Sequence, residues 1–342
     1  KNMFKTEFNI GSKKVGSNAP VLLIAEAGVS HFGSMDLAHQ LLDLTIKAKA
    51  DVFKTQFFDV DQLIANKFID WKDRLRSRNL TLNQAFELKQ RCEENNIIFL
   101  ATAHDESRIP WLLELDVPAV KIGSGERNNL AFIQSLAKIG RPVILSTGMY
   151  RRQDVVDTLK ALDSVGCTEL ALLQCTTSYP TPPEHVNLAA MKSLQTLFPG
   201  PVGYSDHTMD NLAVLSAVAR GAYIIEKHIT ILRDVPNAQD WKVSCGPEDF
   251  PQLVKDIRQV EKIIGSPEIE VQESEKNGEK WALKSLVLSN NYLKGHILVD
   301  KDLTAKRSAI GIRPNKINKV IGKKLLNSVT KDQPLSWSDV SI

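Results

Sequence analysis

Residues 223–230 read YIIEKHIT. The run opens as the middle of a buried strand should, and then carries Glu226, Lys227 and His228 in succession. An unpaired charge removed from water costs several kcal/mol, so such groups are either paired at a strand end or bound to something. Seven apolar runs of similar make precede this one: VLLIAEAG (21–28), DVFKTQFF (51–58), IIFLATAH (97–104), AVKIGSG (119–125), PVILSTG (142–148), LALLQCT (170–176) and PVGYSD (201–206). Amphipathic stretches lie between them, such as SMDLAHQLLDLTIKAKA (34–50) and TLNQAFELKQRCEENN (81–96). The second opens on Thr81 as an N-cap, and GPEDFPQLVKDIRQVEKII (246–264) supplies a last helix. Continuous apolar strands alternating with helices predict a parallel sheet covered on both faces. Eight such units within residues 1–265 predict a closed (β/α)8 TIM barrel. The alternative, an open doubly wound sheet that binds a dinucleotide, lacks its GxGxxG turn after the first run.

Beyond the barrel the composition shifts. Residues 266–280 lie in the polar, acidic stretch GSPEIEVQESEKNGEK and read as a linker, and 281–342, with short runs such as SLVLS and HILV, read as a small β-rich domain. A net charge of +3 argues against nucleic acid or an anionic membrane as partner. The most basic segment, WKDRLRSR (71–78), reads as a solvated loop. The four cysteines form no CxxC pair, which suits a reducing, cytoplasmic setting. No signal-peptide pattern is expected at the start, and no apolar run approaches the ~20 residues that cross a bilayer. Lys1 and Asn2, ahead of Met3, read as residues added to the chain.

In a barrel of this kind the working residues sit at the C-terminal ends of the strands. Polar residues gather there: Glu26, Lys54, Gln56, His104, Lys121, Ser124, Glu126, Ser146, Thr177, Ser205, His207, Glu226 and His228. Strand side chains alternate in direction, so Lys54 with Gln56, Ser205 with His207, and Glu226 with His228 can each face the interior. His207 and His228, on neighbouring strands, make a site for a divalent metal, Mn²⁺ or Mg²⁺, completed by water and substrate oxygen. Taken singly, each reads first as a hydrogen-bonded core histidine; it is their convergence that points to a metal. Asp206 and Glu226 are expected to orient the two rings. Lys54 and Lys121 need anions, either Glu26, Glu126 and Glu226 or a phosphorylated or carboxylated substrate. Ser124, Ser146, Thr177 and Ser205 are small donors suited to phosphate oxygens.

The ordered motifs IAEAGVSHFG, FKTQFF, KIGSGERNN, LSTGM, CTTSYPTP, GYSDHT and EKHIT resemble the bacterial sialic acid synthase family, which includes N-acetylneuraminate, legionaminic and pseudaminic acid synthases. The C-terminal region resembles the antifreeze-like (SAF) domain of those enzymes. The resemblance implies condensation of phosphoenolpyruvate with N-acetylmannosamine or a related amino sugar, with entry of water, to give a nine-carbon 2-keto acid and phosphate by C–O cleavage. It implies that Lys54, Lys121, Ser124, Ser146, Thr177 and Ser205 hold phosphoenolpyruvate. His207 and His228 would bind the metal, and Gln56, Glu126, Tyr179 and Asp240 would contact the sugar together with Glu26. Glu126 is the first candidate for proton transfer at C2, and Glu26 the second. A domain-swapped homodimer is implied, in which Arg307 of AKRSAIGIRP reaches the sugar in the other subunit, with Arg313 as the alternative.

Four departures from the family pattern are visible: Ser30 and Thr177 where Asn is usual, NAQD before Asp240, and KRSA in place of KRPG. The last two touch the sugar side. Phe57, Phe58 and Trp241 read either as core packing or as apolar surface at the mouth, and the second reading favours a diacetamido 6-deoxy sugar, the legionaminic route. Two other classes remain: a metal-dependent aldolase that does not use phosphoenolpyruvate, and an inactive carbohydrate-binding homologue.

Overall fold

The computed structural model describes residues 4–342, so Lys1 and Asn2 lie outside the described residues. The chain divides into two compact units, the first ending at Gly265 and the second spanning Ser266–Ile342.

The first unit opens with a hairpin that the periodicity did not reveal: β1 (Phe8–Ile10) pairs antiparallel with β2 (Lys13–Val15). Gly11, at φ +55°, makes the turn. Eight parallel strands follow: β3 (Leu22–Gly28), β4 (Val52–Phe57), β5 (Ile98–Ala103), β6 (Val120–Ile122), β7 (Val143–Ser146), β8 (Leu170–Cys175), β9 (Val202–Asp206) and β10 (Ile224–His228). They close in sequence order, with β10 pairing back onto β3, so the expected barrel is present. Leu22, Ile24, Val52, Leu100, Ile144 and Ile224 form one interior cluster with Phe8, Ile10 and Val15 of the hairpin. The hairpin therefore packs against the interior residues near the strand starts, and the polar strand ends are left for chemistry.

Local signals explain the helices. Helix Met35–Ala48 is capped by Ser34, whose side chain accepts from the Leu37 N–H, and it stops at Lys49 in the left-handed region. Helix Leu82–Glu94 carries the Thr81–Gln84 capping box. The segment 71–78, read as a solvated loop, instead belongs largely to helix Ile69–Arg76. Asp61 orders it, lying 2.8 Å from Lys72 Nζ and 3.0 Å from Arg76 Nη1, two bases one helical turn apart.

The second unit has its own core, including Leu286, Leu288, Leu298, Val320, Leu325 and Leu335. Its antiparallel pair is β11 (Lys284–Leu288) with β12 (Leu303–Arg307). The stretch read as a linker contains a 3-10 turn at Glu273–Glu275 and most of helix Lys276–Ala282. Among the described residues no helix is long and apolar enough to cross a membrane.

Candidate active site

Alternation on β10 resolves the three consecutive charges. Glu226 and His228 line a cavity at the strand ends, while Lys227 points to the opposite face. Its Nζ lies 2.6 Å from Asp206 and donates also to the carbonyls of Thr208 and Asp210, at 3.1 and 3.2 Å. Asp206 accepts further from Tyr204 and Thr208 hydroxyls at 2.7 and 2.9 Å. Both members of the ion pair are fully buried, and every donor of the ammonium is used. Lys227 and Asp206 are register partners, so the pair ties together the strands that carry His207 and His228. The expectation that Asp206 orients a ring is thereby corrected, because the strand sends it outward. The Thr176 carbonyl does this instead, accepting from His207 Nδ1 at 2.8 Å.

With its proton on Nδ1, His207 turns the lone pair of Nε2 toward Tyr179, whose hydroxyl donates at 2.8 Å. The His228 ring centroid is 5.3 Å from that of His207. His228 Nδ1 is buried without a hydrogen-bond partner, 3.8 Å from Asp240 Oδ2. Burial lowers the His228 pKa, with Asp240 opposing, so the ring is neutral near pH 7. An orphaned nitrogen beside a second imidazole fits a divalent cation. Among the described residues no group of three or more His, Cys, Asp or Glu is arranged to hold one, so such an ion would take its other ligands from water and substrate.

Four buried charges lie beside the histidines. Lys54 pairs with Glu26, lies 3.5 Å from Glu226, and donates to Thr102 Oγ1 at 3.1 Å. Lys121 donates to Ser146 Oγ at 2.9 Å and lies 3.5 Å from Glu226, which accepts from Ser205 Oγ at 2.8 Å. Glu226 is therefore not a ring acceptor either; it neutralises the two lysines. Burial opposes charge on Glu226, yet Lys121 and Lys54 outweigh it and hold the carboxyl well below its ordinary range. Burial pushes the Glu26 carboxyl up, with Lys54 opposing and Glu226 adding to the rise. The environments drive the two carboxyl groups apart: Glu226 is a fixed anion, and Glu26, a carboxylate while Lys54 pairs with it, is the one that takes up a proton more readily. Burial likewise lowers the Lys121 pKa.

Gly148 completes this end. Its N–H donates to Ser124 Oγ at 2.9 Å, and a Cβ there would stand 2.3 Å from Thr177 Oγ1 and 2.7 Å from Ser124 Oγ. Only a bare backbone allows the three groups to converge.

The cavity measures about 260 Å³ and is lined by Glu26, Lys54, Gln56, Lys121, Ser124, Ser146, Thr177, Tyr179, Ser205, His207, His228 and Asp240. One expected residue of this unit is not among its lining. Glu126 stands on the turn beyond Gly125, its carboxylate accepting from Asn129 at 2.8 Å and its pKa raised by burial. Arg307 belongs to the second unit, its guanidinium 5.5 Å from the Trp281 ring centroid. Thr102, His104 and Cys175 line the cavity without having been assigned a role from the sequence. Thr102 and His104 repeat the two-residue spacing of the other inward pairs, and that signal could have marked them.

A second cavity of about 440 Å³ shares Gln56, His104 and Asp240 as a common wall. Phe32, Phe58, Trp71, Arg74, Arg78 and Trp241 line the rest of it, together with Leu63, Leu75 and other residues. Phe57 is not at this mouth: it is buried, with its ring edge-on to Trp111 at 5.3 Å, because alternation turns it away from Gln56 and Phe58.

The model of the NeuB family matches residues 41–269, and that of the SAF domain matches 284–341. An N,N'-diacetyllegionaminic acid synthase of Legionella pneumophila is 33% identical, over 96% of this chain and 97% of its own. Human N-acetylneuraminate-9-phosphate synthase is 32% identical, over 94% and 93% respectively. The crystal structure of an N-acetylneuraminic acid synthetase from Leptospira borgpetersenii, in complex with citrate, superposes with a TM-score of 0.73 at 32% identity, covering 80% of this chain and 94% of that one.

Proposed function

The chain belongs to the NeuB family and carries an SAF domain, and on that premise we propose that it condenses phosphoenolpyruvate with a 2-acetamido sugar and water to give a nine-carbon 2-keto sugar acid and phosphate. The observation that carries this reading is the cluster of Lys54, Lys121, Glu26 and Glu226 beside the Ser124–Gly148–Thr177 cradle and the paired imidazoles of His207 and His228. The lysines, already paired with carboxylates, exchange them for the carboxylate and phosphate of phosphoenolpyruvate. Ser124, Ser146, Thr177, Ser205 and the Gly148 backbone hold phosphate oxygens. A divalent ion on His207 and His228, Mn²⁺ or Mg²⁺, would supply Lewis acidity toward the sugar aldehyde.

The chain's own residues then handle charge and protons. Gln56, Tyr179 and Asp240 orient the sugar so that its aldehyde carbon meets C3 of phosphoenolpyruvate. As the C–C bond forms, positive charge develops at C2, where water adds. Glu26, buried on the cavity wall with a raised pKa, takes the water proton. On placement it precedes Glu126 in this role. Collapse of the tetrahedral adduct breaks the C2–O bond and releases phosphate.

N-acetylmannosamine is the reference acceptor. The aromatic lining of the second cavity (Phe58, Trp71 and Trp241) favours a second acceptor, a diacetamido trideoxyhexose with a methyl group at C6. Phosphate release measured with N-acetylmannosamine, its 6-phosphate and the diacetamido sugars should identify one sugar that supports turnover. Phosphoenolpyruvate carrying ¹⁸O at the bridging position should yield labelled phosphate; unlabelled phosphate would mean attack at phosphorus and remove the role of Glu26. Release with no sugar present, or with none of them, would overturn the function. The four cysteines are free, which supports the cytoplasm as its compartment.

The SAF domain supports a shared site in a domain-swapped homodimer, with Arg307 of one subunit donating to sugar oxygens in the other. A charge-assisted bond of about 1.5–3 kcal/mol makes a ten- to hundredfold loss of sugar use the rough expectation for Arg307→Ala. Mixing Arg307→Ala with His228→Ala dimers under subunit exchange should return activity toward half. No recovery despite confirmed exchange would confine Arg307 to its own subunit.

A further inference from the structure

His104 stands in the wall between the two cavities, and no step above uses it. Its Nε2 is 3.3 Å from Gln56 Oε1, and Gln56 Nε2 donates to Glu26 Oε1 at 2.8 Å. The carboxylate only accepts, so the amide must turn its N–H to Glu26 and its carbonyl to His104. The imidazole must then carry its proton on Nε2, which leaves Nδ1 as an acceptor. Burial, reinforced by Lys54 and Lys121, lowers the His104 pKa to about 4, so the ring stays neutral at working pH. Phe58 flanks the ring at 6.4 Å between centroids, and the His104 backbone N–H is fixed to the Phe57 carbonyl at 3.0 Å. The donor is therefore held in place and does not depend on substrate.

We propose that His104 is a positioning residue that determines sugar affinity, its Nε2–H locking the Gln56 amide in the one orientation that presents an N–H to Glu26. Without that donor the amide can rotate by half a turn, and its carbonyl then faces the carboxylate. The proposal rests on the sugar reading of the outer cavity.

His104→Phe keeps an aromatic wall and removes the donor. The expected result is a rise in KM for the sugar of about tenfold, with KM for phosphoenolpyruvate changed less than about twofold. His104→Gln, which restores an N–H donor, should recover most of the sugar affinity, which a purely space-filling role would not allow. An unchanged sugar KM in His104→Phe, or equal rises in both KM values, would overturn the proposal. A measurement without substrate separates this from the function itself. Ring ¹⁵N shifts of labelled wild-type protein should show the Nε2–H tautomer for the signal that His104→Phe removes. An Nδ1–H ring would overturn the locking role even if turnover were confirmed. Absence of turnover with every sugar would overturn the function and leave the tautomer to decide the lock.

Discussion

His228→Ala is expected to lower phosphate release by about a thousandfold, or about 4 kcal/mol of transition-state stabilisation. The proposed ion has two protein nitrogens, and among the described residues no cluster supplies a third ligand. Losing one ring leaves a single donor. Binding of Mn²⁺, followed by paramagnetic resonance in the absence of substrates, should weaken in parallel, whereas thermal stability should not. The pH dependence has a defined sign. A ring whose pKa is lowered by burial competes with protons only in more acidic solution than a free imidazole does, so Mn²⁺ affinity should persist below the usual histidine range and fall at lower pH. Undiminished Mn²⁺ binding in His228→Ala, or full turnover in chelator, would remove the metal from these histidines.

Lys227→Met is expected to destabilise the barrel by about 3–5 kcal/mol, because it leaves Asp206 charged and without its cation at 0% exposure. Tyr204 and Thr208 would still donate to it, but hydrogen bonds from neutral groups do not replace the positive charge supplied by the ammonium. The urea midpoint of the first unit's transition reports the effect. Lys227→Met combined with Asp206→Leu should recover a large part of it, since an apolar pair of similar volume removes the orphan charge. A loss below about 1 kcal/mol in the single variant would mean that Asp206 is neutral or hydrated.

Much of this molecule is legible in its sequence for identifiable reasons. Eight apolar runs separated by amphipathic stretches permit little besides the closed barrel, and period-two spacing correctly pairs Lys54 with Gln56, Ser205 with His207, and Glu226 with His228. The same rule, applied strictly, would have sent Asp206 and Phe57 outward. What stayed hidden depends on contacts between distant segments. The β1–β2 hairpin has strands of three residues each, too short for a period to register. Helix Ile69–Arg76 looks like a charged loop until Asp61 is seen to gather its bases. Glu126 sits on a turn, where alternation gives no direction, and Asn129 claims its carboxylate. His104 was visible as a strand-end residue, but its bond to Gln56 exists only in three dimensions.

Three neighbouring codons of β10 carry unlike burdens. Among random variants of the chain, changes at His228 would yield protein in normal amounts that makes no product, changes at Lys227 would deplete the protein itself through misfolding and proteolysis, and changes at Glu226, which neutralises the buried Lys54 and Lys121, would do both. A screen for abundance would see Lys227 and Glu226, a screen for product would see all three, and the position found only by the second would mark the side chain that serves chemistry without holding up the fold.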